Sequence, residues 1–279
     1  MPATLVTPDR LTRARDAAGR AGLDALLITP GPNLRYLTGY DATPLERLTC
    51  LVVPAEDAPF LVVPELERPA AAASPAGQLD VELVGWAETA DPVALISARL
   101  GPVRRVGLDD HMWAEKVLRF HAALPDAELV LASRVLAPLR MRKSPPEIAA
   151  LAAAAAAIDT VHAHVPELLR AGRTEREVAR DLAAAILAAG HDTVDFVIVG
   201  TGPNSASPHH EVSDRVLARG DLVVVDIGGS RAGYCSDCTR TYVLGAPRPE
   251  QTHLYDVLAH AQHAARACVH PGIAAHEVD

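Results

Sequence analysis

A chain of 279 residues, 49% hydrophobic and 22% charged, has material for one or two domains with real cores. Its net charge of −9 comes from 26 basic and 35 acidic residues without a basic stripe, which argues against a nucleic-acid partner. The opening MPATLVTPDRLTRARD has charges where a leader would have its apolar core, and no run reads as long enough to span a membrane, so a cytoplasmic protein with no membrane partner is expected.

Thr7-Pro8 opens the first helix with Pro at its first position, and Leu11, Ala14, Ala17, Ala18 and Ala21 give it an apolar face. Gly22 stops it. Strands are expected over 24–29, 49–53 and 60–63, then a helix over 64–73. Further strands read over 81–84, 105–108 and 128–131, with helices near 91–100 and 113–123 between them. Alternation of this kind predicts an α/β layered domain. Residues 139–147, LRMRKSPPE, mark a boundary, giving domains 1–138 and 139–279. Ser144, Pro145 and Glu147 form a capping box, and a long Ala-rich helix follows over about 146–169. His162 and His164 lie two apart on it, face different ways, and read as structural. Thr174, Glu175, Arg176 and Glu177 make a second capping box, opening a helix to about 189. Residues 196–199 read as a strand. The glycines at 200 and 202 that follow lack the Lys-Ser/Thr of a phosphate loop.

Residues 221–245, DLVVVDIGGSRAGYCSDCTRTYVLG, organise the second half. Leu222, Val223, Val224 and Val225 read as a buried strand that ends on an acid, Asp226. A turn near Ser230-Arg231-Ala232 leads to a second strand, and places Asp226 and Asp237 about opposite each other. Directly paired residues share a face, with Cβ atoms about 5 Å apart. Two carboxylates at that separation repel, and divalent cations between them remove the penalty. The plainer alternative has one acid capping a turn and the other paired with Arg240. Cys235 and Cys238 form a CxxC, half a zinc site or a redox pair by pattern. On a strand they face opposite ways and no second CxxC completes a site, so packed thiols are the better reading. A helix is expected over 253–269, and another begins at Ala275-His276-Glu277.

The residues VVVDIGG and YCSDCTRTYVLG resemble the pita-bread metallopeptidases: Xaa-Pro dipeptidases, Xaa-Pro aminopeptidases and methionine aminopeptidases. NLRYLTGY at 33–40 is similar to the creatinase-type N-terminal domain of the Xaa-Pro branch. The resemblance implies an α/β creatinase-like domain followed by an α+β pita-bread catalytic domain. It implies two divalent metal ions (Mn, Co or Zn), with Asp226 and Asp237 among their ligands. In the segment NSASPHH at 204–210 it points to His209 as the histidine that contacts substrate or moves a proton, while a loop histidine capping local backbone is the plainer reading. The implied activity is hydrolysis of the bond before proline in a peptide with proline at its second position, by a homodimer. Another hydrolase or lyase on the same fold, or a non-catalytic binding module, are the alternatives; the intact acid motifs count against the module. The family's remaining ligands, one histidine and two glutamates, have no counterpart before Asp279. The sequence therefore reads as the N-terminal part of a longer protein. These 279 residues alone are expected to be inactive, to bind metal weakly and to expose an apolar patch.

Overall fold

The computed structural model describes Leu5 and residues 7–279, so part of the opening segment read against a leader lies outside the described residues. It divides into two compact units, Met1–Glu147 and Ile148–Asp279.

The first unit runs α1 (Pro8–Arg20), β1 (Ala25–Ile28), α2 (Pro32–Thr38), β2 (Cys50–Pro54), β3 (Phe60–Pro64), α3 (Arg68–Ala73), β4 (Glu82–Trp86), α4 (Pro92–Leu100), β5 (Arg105–Leu108), α5 (Ala114–Ala123), β6 (Glu128–Leu131) and α6 (Ser133–Met141). Its strands form one mixed sheet in the order β4-β3-β2-β1-β5-β6. β2 is antiparallel to both β1 and β3, and the remaining pairs are parallel. Both faces are covered, which is why the central strands read as continuous apolar runs. Leu26, Leu51 and Leu61 point to a core shared with Ala14 and Ala18 of α1 and Leu34 of α2. Leu27, Val52 and Val62 point the other way, against Ile96 of α4 and Phe120 of α5.

Three elements differ from expectation. α2, between β1 and β2, was not expected as a helix. The helix expected over 64–73 begins only at Arg68, because Pro64 still pairs in β3 and the next three residues turn. α6 was not foreseen. Its last residues fall in the stretch 139–147 read as a boundary, yet Val135 and Leu136 are buried and the helix runs through Pro138 to Met141. Past α6, in the first turn of the next helix, Glu147 accepts from both the N–H and the hydroxyl of Ser144 (2.8 Å each) and pairs with Arg10 at 3.0 Å. The Ser144 hydroxyl is therefore spent on the carboxylate.

The second unit takes up α7 (Pro145–Leu168), which begins just before the division, then α8 (Glu175–Ala188), β7 (Thr193–Thr201), β8 (Leu222–Arg231), β9 (Tyr234–Val243) and α9 (Pro249–Cys268). Residues 275–277 make one 3-10 turn, not a longer helix. The three strands form an antiparallel sheet, β7-β8-β9. α7 corrects the statement that no run reaches membrane-spanning length: with 24 residues and a mean hydropathy of 1.5 it is long and apolar enough by length and composition. Its alanine run supplies that hydropathy with little bulk. Its larger apolar residues, Ile158, Val161 and Val165, pack with Val178 and Leu182 of α8 and Val223, Val225 and Ile227 of β8. α9 leaves Leu254, Tyr255, Val257 and Leu258 exposed.

His162 ties α7 to β9. It is 7% exposed; Nε2 lies 2.8 Å from the Cys238 carbonyl and Nδ1 lies 3.0 Å from the Tyr242 hydroxyl. A neutral ring protonated at Nε2 satisfies both, donating to the carbonyl and accepting from the phenol. Burial lowers its pKa below the ordinary 6.5, and the carbonyl acceptor only partly opposes that. Below pH 6.5 the unfolded chain takes up a proton that the folded unit resists, so stability falls as pH falls through that window. Thermal melts of wild type and His162→Gln between pH 7.5 and about 5 test this, the variant losing part of the acid slope. Equal slopes would remove His162 from the account.

Candidate metal-binding and catalytic site

The β8–β9 ladder places the acids. The turn is two residues long, Ala232 and Gly233, with φ of 52° and 83°. Positive φ at both central positions is the primed turn that suits strand twist. The expected turn centre was one to two residues too early, and the register changes with it. Asp226 pairs with Thr239, and Asp237 pairs with Gly228. The acids are thus diagonal neighbours on one face, not directly opposite. Diagonal positions are about 7–8 Å apart at Cα, within reach of carboxylates that lean together. Nor does Asp226 end its strand. It sits mid-strand, where Val223, Val225 and Ile227 face the core and Asp226 faces away from it.

Local chemistry explains the residues around the acids. The Thr239 hydroxyl donates to Asp226 Oδ1 at 2.6 Å, fixing that carboxylate. Asp237 is exposed. Neither acid forms an ion pair among the described residues. Arg240, the partner in the plainer alternative, lies near Asp159 at 3.8 Å and donates to the Thr239 carbonyl. Gly228 is required by close approach: a Cβ there would come 2.4 Å from the Phe196 ring and 2.5 Å from the Ser236 carbonyl. Gly228→Ala is expected to cost about 1–3 kcal/mol through overpacking. Its melting temperature checks this, and an unchanged value would show that Phe196 can yield. Ser236 faces the core side. Its hydroxyl donates to the Gly229 carbonyl at 3.1 Å and meets His191 Nε2 at 2.8 Å. His191 is 5% exposed, and the sequence reading did not single it out. Cys235 is exposed on the side of Asp237, whereas Cys238 packs toward the core. The expectation of two partly buried thiols thus holds for only one of them.

An open cleft of about 680 Å³ lies over the acid face, lined by Asp226, Asp237, His209, His210, Phe196 and Ile198. All three residues named as site candidates reach this one cleft. His209 is exposed and makes no hydrogen bond among the described residues, which leaves its ring available and sets aside the local-capping reading. His210 is different: Nε2 lies 2.8 Å from Oε2 of Glu175, a buried carboxylate. Glu175 was read only as part of a capping box. That box is made by Thr174 and Glu177, and the sequence carries no separate signal for the role of Glu175.

The donor set suits a hard or borderline divalent cation. Two carboxylates share a face, one is oriented by a hydroxyl, and among the described residues neither is held in an ion pair, although Arg176 also lines the cleft. Among the described residues no group of three or more His, Cys, Asp or Glu gathers to hold a metal, so the pair supplies two ligands only.

Comparison with known proteins gives the same picture. The model for metallopeptidase family M24 matches residues 149–279, and that for the creatinase/prolidase N-terminal domain matches residues 10–142. The probable dipeptidase PepE of Mycobacterium tuberculosis (strain ATCC 25618 / H37Rv) is 50% identical over 273 residues, 97% of this chain and 72% of that protein. The chain belongs to metallopeptidase family M24. Two M24 structures superpose closely. Dipeptidase PepE from Mycobacterium ulcerans does so with a TM-score of 0.93 at 48% identity, covering 99% of this chain and 75% of that one. A recombinant prolidase from Thermococcus sibiricus does so at 0.89 and 32% identity, covering 97% and 74%. The creatinase-like N-terminal domain and the M24 catalytic fold expected from the sequence are both present. M24 metallopeptidases use divalent metal ions, in keeping with the acid pair on the cleft.

Proposed function

We propose that the M24 protein carrying these residues hydrolyses dipeptides at the bond before proline, with Asp226 and Asp237 among the ligands of a dinuclear manganese, cobalt or zinc centre and His209 as the group that positions substrate or moves a proton; the 279 residues alone, with two ligands, are expected to be inactive. The observation that carries the reading is the diagonal acid pair opening on the same cleft as an unengaged histidine. Thr239 holds Asp226 in one orientation. Phe196 and Ile198 give the cleft an apolar lining that suits a pyrrolidine ring. His209, free to hydrogen-bond, can donate to the scissile carbonyl or carry a proton to the leaving nitrogen. When bound, the metal ions supply Lewis-acid polarisation of that carbonyl and lower the pKa of the attacking water. The Thermococcus sibiricus relative is described as a prolidase, which supports the preference for proline.

The test, made on the full-length protein that carries these residues, compares Ala-Pro with Ala-Ala as substrates, with added Mn²⁺ and with EDTA. Metal-dependent hydrolysis of Ala-Pro with little of Ala-Ala is expected. His209→Ala is expected to lower kcat about 100-fold while leaving Mn²⁺ affinity unchanged. Equal rates on the two dipeptides would defeat the proline preference, and turnover in EDTA would defeat the metal role.

A further inference from the structure

We propose that Glu175 is a positioning residue: its carboxylate clamps the Thr201–Ser213 segment and thereby sets His209 over the cleft. The proposal rests on the reading of His209 given above. Glu175 is wholly buried at the start of α8. Oε1 accepts from the Thr201 N–H (2.9 Å), the Thr201 hydroxyl (2.8 Å) and the Asn204 amide (3.0 Å). Oε2 accepts from His210 Nε2 (2.8 Å), the Ser213 N–H (3.1 Å) and the Ser213 hydroxyl (2.7 Å). A carboxylate offers about four lone-pair positions, so six donors saturate it.

None of the six comes from its own helix. The N-terminus of α8 is capped by Thr174, whose hydroxyl accepts from the Glu177 N–H, and by Glu177, which accepts from the Thr174 N–H. Glu175 is therefore surplus to capping and is committed to the loop. The main chain adds to the hold: the N–H groups of Glu175 and Arg176 donate to the carbonyls of Arg215 and Ser213. Arg215 in turn donates to the Thr201 hydroxyl at 2.6 Å and to Asp221 at 2.8 Å. The segment is thus fixed at both ends and at Asn204 and His210. His209 is exposed and immediately precedes the anchored His210, so the clamp limits where its ring can go. A buried carboxylate met by donors that run from the last residue of β7 to Ser213 is what a part needs when its neighbour must be held still while remaining free to react.

The test uses the full chain carrying ¹⁵N-labelled histidine, with His210→Ala, His210→Gln and Glu175→Gln. Glutamine at 210 keeps an N–H that can donate to Glu175. In His210→Ala, amide exchange over residues 202–212 is expected to quicken by about 10-fold or more. The His209 ring signal is expected to broaden and to lose its response to Ala-Pro, with Mn²⁺ binding unchanged by calorimetry. His210→Gln restores all three. Glu175→Gln gives the larger effect if it folds, and the His210 pair decides if it does not. An unchanged His209 signal and exchange pattern in folded His210→Ala, or a failure of His210→Gln to restore them, overturns the proposal. A wild-type His209 signal that is sharp but ignores Ala-Pro overturns the reading of the site and leaves the clamp standing.

Discussion

Asp226→Asn and Asp237→Asn are each expected to reduce Mn²⁺ affinity by at least about 100-fold, because each removes one of only two ligands the cleft face offers. Peptide hydrolysis should fall with it. The same substitutions have an opposite effect on the metal-free protein. The two acids are diagonal neighbours with no ion-pair partner among the described residues, so neutralising one relieves repulsion and raises the melting temperature slightly. Thr239→Val keeps shape but removes the hydroxyl that donates to Asp226, and should weaken binding by about 10-fold. Titration calorimetry and thermal melts with and without Mn²⁺ read all three. Loss of stability together with unchanged metal affinity in either asparagine variant would assign the acids a structural role instead.

The second large effect concerns Glu175. Burial alone would raise its pKa, but the hydrogen bonds from Ser213, His210, Asn204 and Thr201 outweigh burial and hold it at about 2 against an ordinary 4.5. A depressed carboxylate adds stability that is fully present above the unfolded value, near pH 4.5. That stability is lost as pH falls through about 2. The shift corresponds to a contribution on the order of 3 kcal/mol at neutral pH. Glu175→Gln should cost about that much at pH 7, since its amide group faces donors that it cannot accept from. It should also flatten the loss of stability between pH 4.5 and about 3. Urea unfolding of both proteins at pH 7 and at about pH 3 measures both quantities. A variant as stable as wild type at pH 7 would show that water replaces the clamp.

Much of this was legible because it follows local rules. The sheet of the first unit came from apolar runs bounded by turn residues, and Gly22, read as the stop of the first helix, has a φ of 69° just past its end. The acids and His209 were legible as motifs. What was not legible depended on geometry that spacing does not encode. The hairpin register hangs on whether Ala232 accepts a positive φ, an unusual conformation for alanine. Glu175 and His210 lie 35 positions apart and meet only after folding. His191 and Ser236 are 45 apart and do the same. α6 went unread because its end runs into the boundary stretch 139–147, and its Pro138 in isolation argues against a helix.

The diagonal placement of the acids also bears on folding fidelity. A hairpin with positive-φ turn residues could pair one residue out of step, and such a slip would flip every side chain on one strand to the other face. In β9 the slip would drive Asp237 toward Ile186 and His191, where Ser236 now sits, and would leave an unpaired acid in an apolar core. The penalty is several kcal/mol in an interior of that kind. The acids on the cleft face thus also count against the wrong ladder while the chain assembles, before any ligand arrives.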